Sequence, residues 1–166
     1  MYTPDLSLLR DLSGPAALPK AWDLLSPLPG GKRIFSRLVG QFAPYSGSIG
    51  AQVESLGPGF ARIELADRRR VRNHLDCVHA MALANLGELV TGLAMLYDFP
   101  ADARGILAGF EVRYHKKARG PLAAECHTEV VRDNKKGERT VQGKIFDDTG
   151  DLCCEVSARW LVGPAR

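Results

Sequence analysis

The sequence predicts an α+β domain in which one long central helix is wrapped by a six-stranded antiparallel sheet, with further helices at the N-terminal end. Three observations carry this prediction. The stretch from Val78 to Tyr97 is apolar on nearly every side. At a 1.5 Å rise, a helix of ~20 residues is ~30 Å long, and an all-round apolar helix must be enclosed. Segments alternating apolar and polar residues flank it, two before and four after. Glycine-bearing turn sequences separate them, and strands of about ten residues at ~3.3 Å each match the helix in length, so one sheet can wrap one helix.

Taken in order, residues 1–47 are rich in Pro and Gly and hold two short helical patterns, about Pro19 to Leu25 and about Lys32 to Phe42. In the second, Ile34, Phe35, Leu38 and Val39 form one stripe. From Ser48 the period becomes two: Ile49, Ala51 and Val53 face one way, and Gly57-Pro58-Gly59 turns the chain into Phe60 to Ala66. A basic connector, Asp67 to Arg72, leads to the long helix, whose N-cap is Asp76 or Asn73 and which ends before Pro100. Strands follow at roughly 105–116, 121–133, 138–148 and 151–162. In the last, Leu152, Cys154, Val156, Ala158, Trp160 and Val162 share a face. Tyr114, Phe110 and Trp160 read as core. Turns fall at Arg119-Gly120-Pro121, Asn134 to Gly137 and Asp147 to Gly150. Gly87 and Gly92 weaken the helix, which indicates close packing against the sheet or a partner helix.

Composition narrows the class. With 166 residues, 45% hydrophobic and 25% charged, the chain is neither disordered nor fibrous and needs no disulfide or structural metal to fold. Cys77, Cys126, Cys153 and Cys154 show no CxxC pair and read as reduced thiols of a cytoplasmic protein. The first residues lack a basic segment followed by an apolar core, so export is not expected. Glu88 in the middle of the apolar stretch argues against a membrane span. A net charge of +3, and an Arg68-Arg69-Arg70 run without interleaved aromatics, argue against a nucleic-acid partner. His74 and His79 are not spaced i, i+4, and no metal or cofactor is expected.

The chemistry centres on Asn73-His-Leu-Asp-Cys-Val-His79-Ala-Met-Ala-Leu-Ala-Asn-Leu-Gly-Glu88. This run resembles the hotdog-fold acyl-CoA thioesterases of the phenylacetate-pathway and hydroxybenzoyl-CoA type, which carry Asn, six positions later His-Gly-Gly, and nine positions after that His a carboxylate. Both spacings hold from Asn73 to His79 and from His79 to Glu88. The segment Phe110 to Gly120 resembles the strand and turn that follow the helix in that family. The resemblance covers about residues 48–162, dividing the chain into an N-terminal helical extension, 1–47, and a thioesterase-like domain, 48–166. Ala80 and Met81 stand where the family has its glycine pair, and Glu88 follows the hydroxybenzoyl-CoA branch rather than the Asp of the other.

The physics of the segment agrees with those roles. With a cap at Asp76, His79 and Ala80 occupy the first helical turn, where unpaired N–H groups and the positive macrodipole end favour an oxyanion. The Ala80 N–H would polarise a thioester carbonyl. Glu88, nine residues after His79, projects from the opposite side of the helix, since nine steps of 100° make two and a half turns. The resemblance implies a homodimer, or a dimer of dimers, in which Asn73 and the helix start of one subunit meet Glu88 of the other. Glu88 would activate water or attack the thioester directly; Asn73 would position water or carbonyl, and His79 would orient the loop. Arg113, Lys116, Lys117, Arg119 and Arg139 would hold the coenzyme A phosphates, or else form a solvated rim. The expected function is hydrolysis of an acyl-CoA or acyl-carrier thioester. The alternatives are a non-catalytic acyl-CoA or carrier-binding module, a dimerisation scaffold, and, for Glu88 alone, a helix carboxylate paired with an arginine of the sheet.

Overall fold

A computed structural model describes residues 17–165. The opening segment read above for an export signal lies outside the described residues, as does residue 166. The chain runs through α1 (Ala17–Leu25), α2 (Gly31–Phe42), α3 (Pro44–Gly47), β1 (Gln52–Gly57), β2 (Phe60–Leu65), a 3-10 turn at Arg69–Val71, α4 (Ala80–Leu96), β3 (Ala103–Tyr114), β4 (Leu122–His127), β5 (Gly137–Asp147) and β6 (Leu152–Pro164). The strands form one sheet ordered β1-β2-β4-β5-β6-β3, with every pairing antiparallel. The apolar helix α4 packs on β2, β4, β5 and β6, which is the α+β arrangement the sequence predicts. Its Leu86 and Val90 are wholly buried, as are Ile63, Ala124, Ile145 and Ala158 of the sheet. Gly87 lies on that contact: a Cβ there would collide with Cγ1 of Val156 and stand 2.9 Å from its Cγ2. Among the described residues no helix is long and apolar enough to cross a membrane.

The N-terminal helices are anchored to the same sheet. Phe35 of α2 is buried and meets Trp22 of α1 edge to face, with ring centroids 5.0 Å apart. The Ser36 hydroxyl donates to Lys32 O at 2.7 Å and accepts from the Val53 N–H at 2.8 Å, tying α2 to β1. The next short helix, α3, is held by contact between the backbones of Gly40 and Gly47, where a Cβ on Gly40 would stand 3.1 Å from the Gly47 Cα.

Three local expectations are corrected. The period-two segment read from Ser48 is strand only from Gln52, and the register slips between Val53 and Ser55, so the next buried residue after Val53 is Leu56, as a bulge requires. The strand expected over 121–133 ends at His127, because its partner β2 begins at Phe60 and offers nothing further to pair with. Residues 128–136 are therefore loop. Arg119-Gly120-Pro121 is not a hairpin turn, since β3 pairs only with β6 while β4 lies between β2 and β5. Instead, residues 115–121 cross the end of the sheet past the start of α4, with Ala118 buried and its carbonyl accepting from the Val78 N–H at 2.9 Å.

All four cysteines are buried free thiols. Burial pushes Cys126 and Cys154 up to about 12. Neither can offer a thiolate nucleophile near neutral pH.

Candidate functional site

The polar groups of α4 are the His79 cap at its N-terminus and, within its apolar length, Asn85, Glu88 and Thr91. At the N-terminus, neither Asp76 nor Asn73 caps the helix as expected, because both are used in closing the preceding loop. Asn73 Oδ1 accepts from the Leu75 N–H at 2.9 Å and the Cys77 N–H at 3.4 Å. Asp76 adopts a left-handed backbone (φ 51°) and its carboxylate takes Arg72 Nη1 at 2.8 Å. The cap is His79, extended at ψ 139°, whose Nδ1 accepts from the Met81 N–H at 3.0 Å, so the ring proton resides on Nε2. The His79 carbonyl takes the N–H groups of Ala82 and Leu83. The Ala80 N–H is thus the one donor of the first turn with no acceptor among the described residues. His79, Ala80 and Met81 are all exposed, Met81 at 58%.

Tyr114 is not core, contrary to the sequence reading. It is 45% exposed at the end of β3 and donates its hydroxyl to the Ala80 carbonyl at 2.9 Å. Position 114 does lie on the inward register, but the sheet outruns the apolar part of the helix there, so the ring reaches the helix start rather than the interior. Removing this hydrogen bond in Tyr114→Phe is expected to lower stability by about 0.5–1 kcal/mol, read as a lower denaturant midpoint with an unchanged m-value.

Glu88 lies eight residues beyond Ala80, a rise of about 12 Å along the axis, so one chain does not bring the carboxylate to the helix start. It faces α3 instead. Its Oε2 accepts from Ser46 Oγ at 3.4 Å, and one turn earlier Asn85 Nδ2 donates to the carbonyl of the adjacent Tyr45 at 3.1 Å. No ion pair reaches Glu88 among the described residues, so the arginine partner weighed above is not found. Burial pushes its carboxyl above the ordinary glutamate value, and the Ser46 hydrogen bond opposes this only in part. Ser46, Asn85 and Tyr114 are the polar neighbours that sequence reasoning missed. Ser46 sits in a four-residue helix without a periodic signature, and Asn85 is hidden in an apolar run.

The five cations proposed for phosphate differ in their engagement. Lys116 Nζ binds Asp147 at 2.7 Å and Asp151 at 2.8 Å, and those carboxylates hold its ammonium well above the usual lysine range. Arg119 reaches the Asp76 carbonyl through Nε at 3.3 Å, bracing the loop before α4. Arg139 pairs loosely with Glu129 at 3.9 Å. Arg113 and Lys117 are exposed and make no ion pair among the described residues. Tyr114 registers with Cys154 and Arg139 with Trp160, so Arg139 stands about 20 Å along β6 from the Arg113–Arg119 group. One protomer does not bring all five together.

A family described as a domain of unknown function, DUF4442, matches residues 31–162. A solved structure called genomics APC5556 is 30% identical to this chain, with a TM-score of 0.77, and the match covers 89% of this chain and 99% of that one. A Pseudomonas aeruginosa protein of unknown function, described as a probable thioesterase, is 22% identical over 83% of this chain and 97% of its own, with a TM-score of 0.72. A thioesterase from Haemophilus influenzae is 14% identical over 76% and 88%, with a TM-score of 0.66. The chain therefore has the hotdog fold of these proteins. No protein of curated function matches it.

Proposed function

This chain belongs to the DUF4442 family, and on that premise we propose that it is a thioester hydrolase, cleaving an acyl-CoA or acyl-carrier thioester to the free acid and thiol. The observation that carries the reading is Glu88: a carboxylate on the central helix, part-buried, partnered among the described residues by one hydroxyl and by no cation, with its affinity for protons raised by burial. A structural carboxylate in an apolar helix gains from an ionic partner, whereas a general base gains from a raised proton affinity. Glu88 would take a proton from water, or attack the thioester carbon itself to give an anhydride that water opens.

The Ala80 N–H would stabilise the oxyanion, supported by the macrodipole of α4. His79 would hold that turn through its cap, and Asn73 would keep the loop closed with its Nδ2 available to water or carbonyl. The separation of Glu88 from Ala80 favours a homodimer in which each site takes its oxyanion donor from one subunit and its carboxylate from the other. Lys117 is the best placed to meet coenzyme A phosphates beside the helix start, with Lys116 and Arg119 bracing the same rim, while Arg113 alternates to the outer face of β3 and would serve only a phosphate that wraps around the sheet end. Arg139 would serve only from another subunit or toward a carrier protein.

The side chains of Ala80 and Met81 favour a second reading, a binding module on the same fold, because they narrow the approach to the helix start. Thiol release from acetyl-, hexanoyl-, palmitoyl- and benzoyl-coenzyme A separates the two. The hydrolase reading expects turnover of at least one ester, with an acidic limb of kcat displaced above the ordinary glutamate pKa; binding without turnover would favour the module.

A further inference from the structure

We propose that Ser46, which the N-terminal helices deliver to the side of α4, is a positioning residue for Glu88: its hydroxyl holds the Oε2 oxygen and leaves Oε1 as the oxygen free to act. This rests on the hydrolase reading and extends it to a residue outside α4 and its preceding loop. Ser46 Oγ stands 3.4 Å from Glu88 Oε2, and no second hydrogen bond reaches the carboxylate among the described residues. An ionised carboxylate can only accept, so the hydroxyl is the donor. The last torsion of a glutamate side chain has broad wells, so a single donor decides which oxygen is engaged. At 3.4 Å the bond is long, and the effect expected of it is modest.

A hydroxyl can orient a carboxylate only if its own segment is held, and α3 is fastened from three directions. From α4, Asn85 Nδ2 donates to the Tyr45 carbonyl at 3.1 Å; Asn85 is buried and lies three residues before Glu88, on the same helix face. From α2, the Gly40 backbone closes on Gly47, where a Cβ would stand 2.7 Å from the Gly40 carbonyl oxygen. From the basic connector, Arg68 Nη2 donates to the Gly50 carbonyl at 2.8 Å and Arg70 Nη2 to the Ser48 carbonyl. A helix of four residues has too few internal bonds to hold itself, so these contacts set where Ser46 stands. Two guanidiniums of the Arg68-Arg69-Arg70 run thereby gain a role, clasping the chain just after α3.

Among the described residues no charged group competes with Ser46 for this carboxylate. Helix α4 has no other ionisable side chain, and α3 has only Tyr45, which is exposed. On the inward register of the strands the ionisable groups are the Cys126 and Cys154 thiols, both pushed up to about 12 by burial, and the Tyr114 hydroxyl, bonded to the Ala80 carbonyl. On β1, Glu54 is paired with Lys32 at 3.2 Å, and Arg68 and Arg70 are occupied by the two carbonyls. Burial and the Ser46 hydroxyl therefore act on the Glu88 proton in opposite senses, and removing the hydroxyl leaves burial unopposed.

The test compares Ser46→Ala and Ser46→Thr with wild type and Glu88→Gln, each as the full chain, on the coenzyme A ester turned over fastest. Ser46→Ala should move the acidic limb of kcat upward by about half to one pH unit, as expected for losing one donor to a charged group. Its plateau kcat should fall about three- to tenfold with KM within about twofold, since the carboxylate loses its fixed orientation while the binding surface is untouched. Ser46→Thr keeps the hydroxyl and should recover most of both losses. A melting series separates this from a structural role: Ser46→Ala should melt below wild type at neutral pH, with the difference shrinking as pH falls below the unfolded glutamate pKa. If the Ser46→Ala limb stays at the wild-type pH while Glu88→Gln collapses, the positioning role is overturned and the hydrolase reading stands. If Glu88→Gln is fully active, or wild type turns over none of the esters, both fall.

Discussion

Glu88→Gln is expected to lower kcat for acyl-coenzyme A hydrolysis by about 10²–10⁴-fold, the usual contribution of a positioned acid–base group. Gln keeps the size and an acceptor for Ser46, so the fold has no reason to suffer. The stability effect has a definite sign. Burial raises the Glu88 pKa in the folded state above its unfolded value, so the folded protein binds the proton more tightly. Between those two values stability falls as pH rises, and above the folded value the full cost of the buried charge is present. The Gln variant lacks that cost. It should therefore melt above wild type at neutral pH, with the difference vanishing as pH falls below the unfolded glutamate pKa. A variant both inactive and less stable at neutral pH would point to a structural role for Glu88. The measurements are steady-state thiol release and a melting series across pH.

Gly87→Ala should destabilise the protein by about 1–3 kcal/mol, the cost of overpacking a filled core. Helix propensity alone predicts the opposite, a gain of about 1 kcal/mol for Ala over Gly. The contact decides the outcome: the added methyl would collide with Val156, a buried β6 residue whose position is fixed by pairing with Gly143 on one side and Val112 on the other. Gly143 is itself closed to a side chain, since a Cβ there would lie 3.0 Å from Val156 Cγ2 and 3.1 Å from both Thr91 Cγ2 and Val90 Cγ1. The helix and sheet meet without slack along this line. Gly92→Ala, whose methyl meets only ordinary contacts, should move stability the other way. Urea denaturation of the two variants side by side reads the sign directly.

These cases also mark how far the sequence carries. The long helix was legible as an unbroken apolar run and the final strand by its period: apart from Cys153, the buried set on β6 is the alternation Cys154, Val156, Ala158, Trp160 and Val162 that the sequence displays. The close packing of Gly87 was legible as a helical glycine, and the structure decides between the sheet and a partner helix by placing it against Val156. The N-cap was not, because Asn73 and Asp76 have cap chemistry but spend it on their own loop, and His79 caps through a ring nitrogen that cap preferences rank low. Tyr114 was assigned to the core by alternation alone, which says which face a residue takes but not where the helix beneath it ends. The surroundings of Glu88 were illegible for a different reason. Ser46 and Tyr45 come from a segment some forty residues away, and only the chain's return over α4 brings them there.

The central claim is that an active centre is assembled from Glu88 of one subunit and the Ala80 N–H of another. Ala80→Pro removes that N–H at the first helical position, where proline is at home, and His79 before it already has the extended ψ of 139° that a following proline demands. Each homodimer, Ala80→Pro or Glu88→Gln, should be inactive at both sites. Unfolding the two variants together and refolding them as a mixture should create heterodimers with one site carrying both defects and the other carrying neither. Random pairing through a two-fold interface should then restore about one quarter of the wild-type rate. A mixture no more active than its parents, with heterodimers present by mass, would contradict a site shared between subunits.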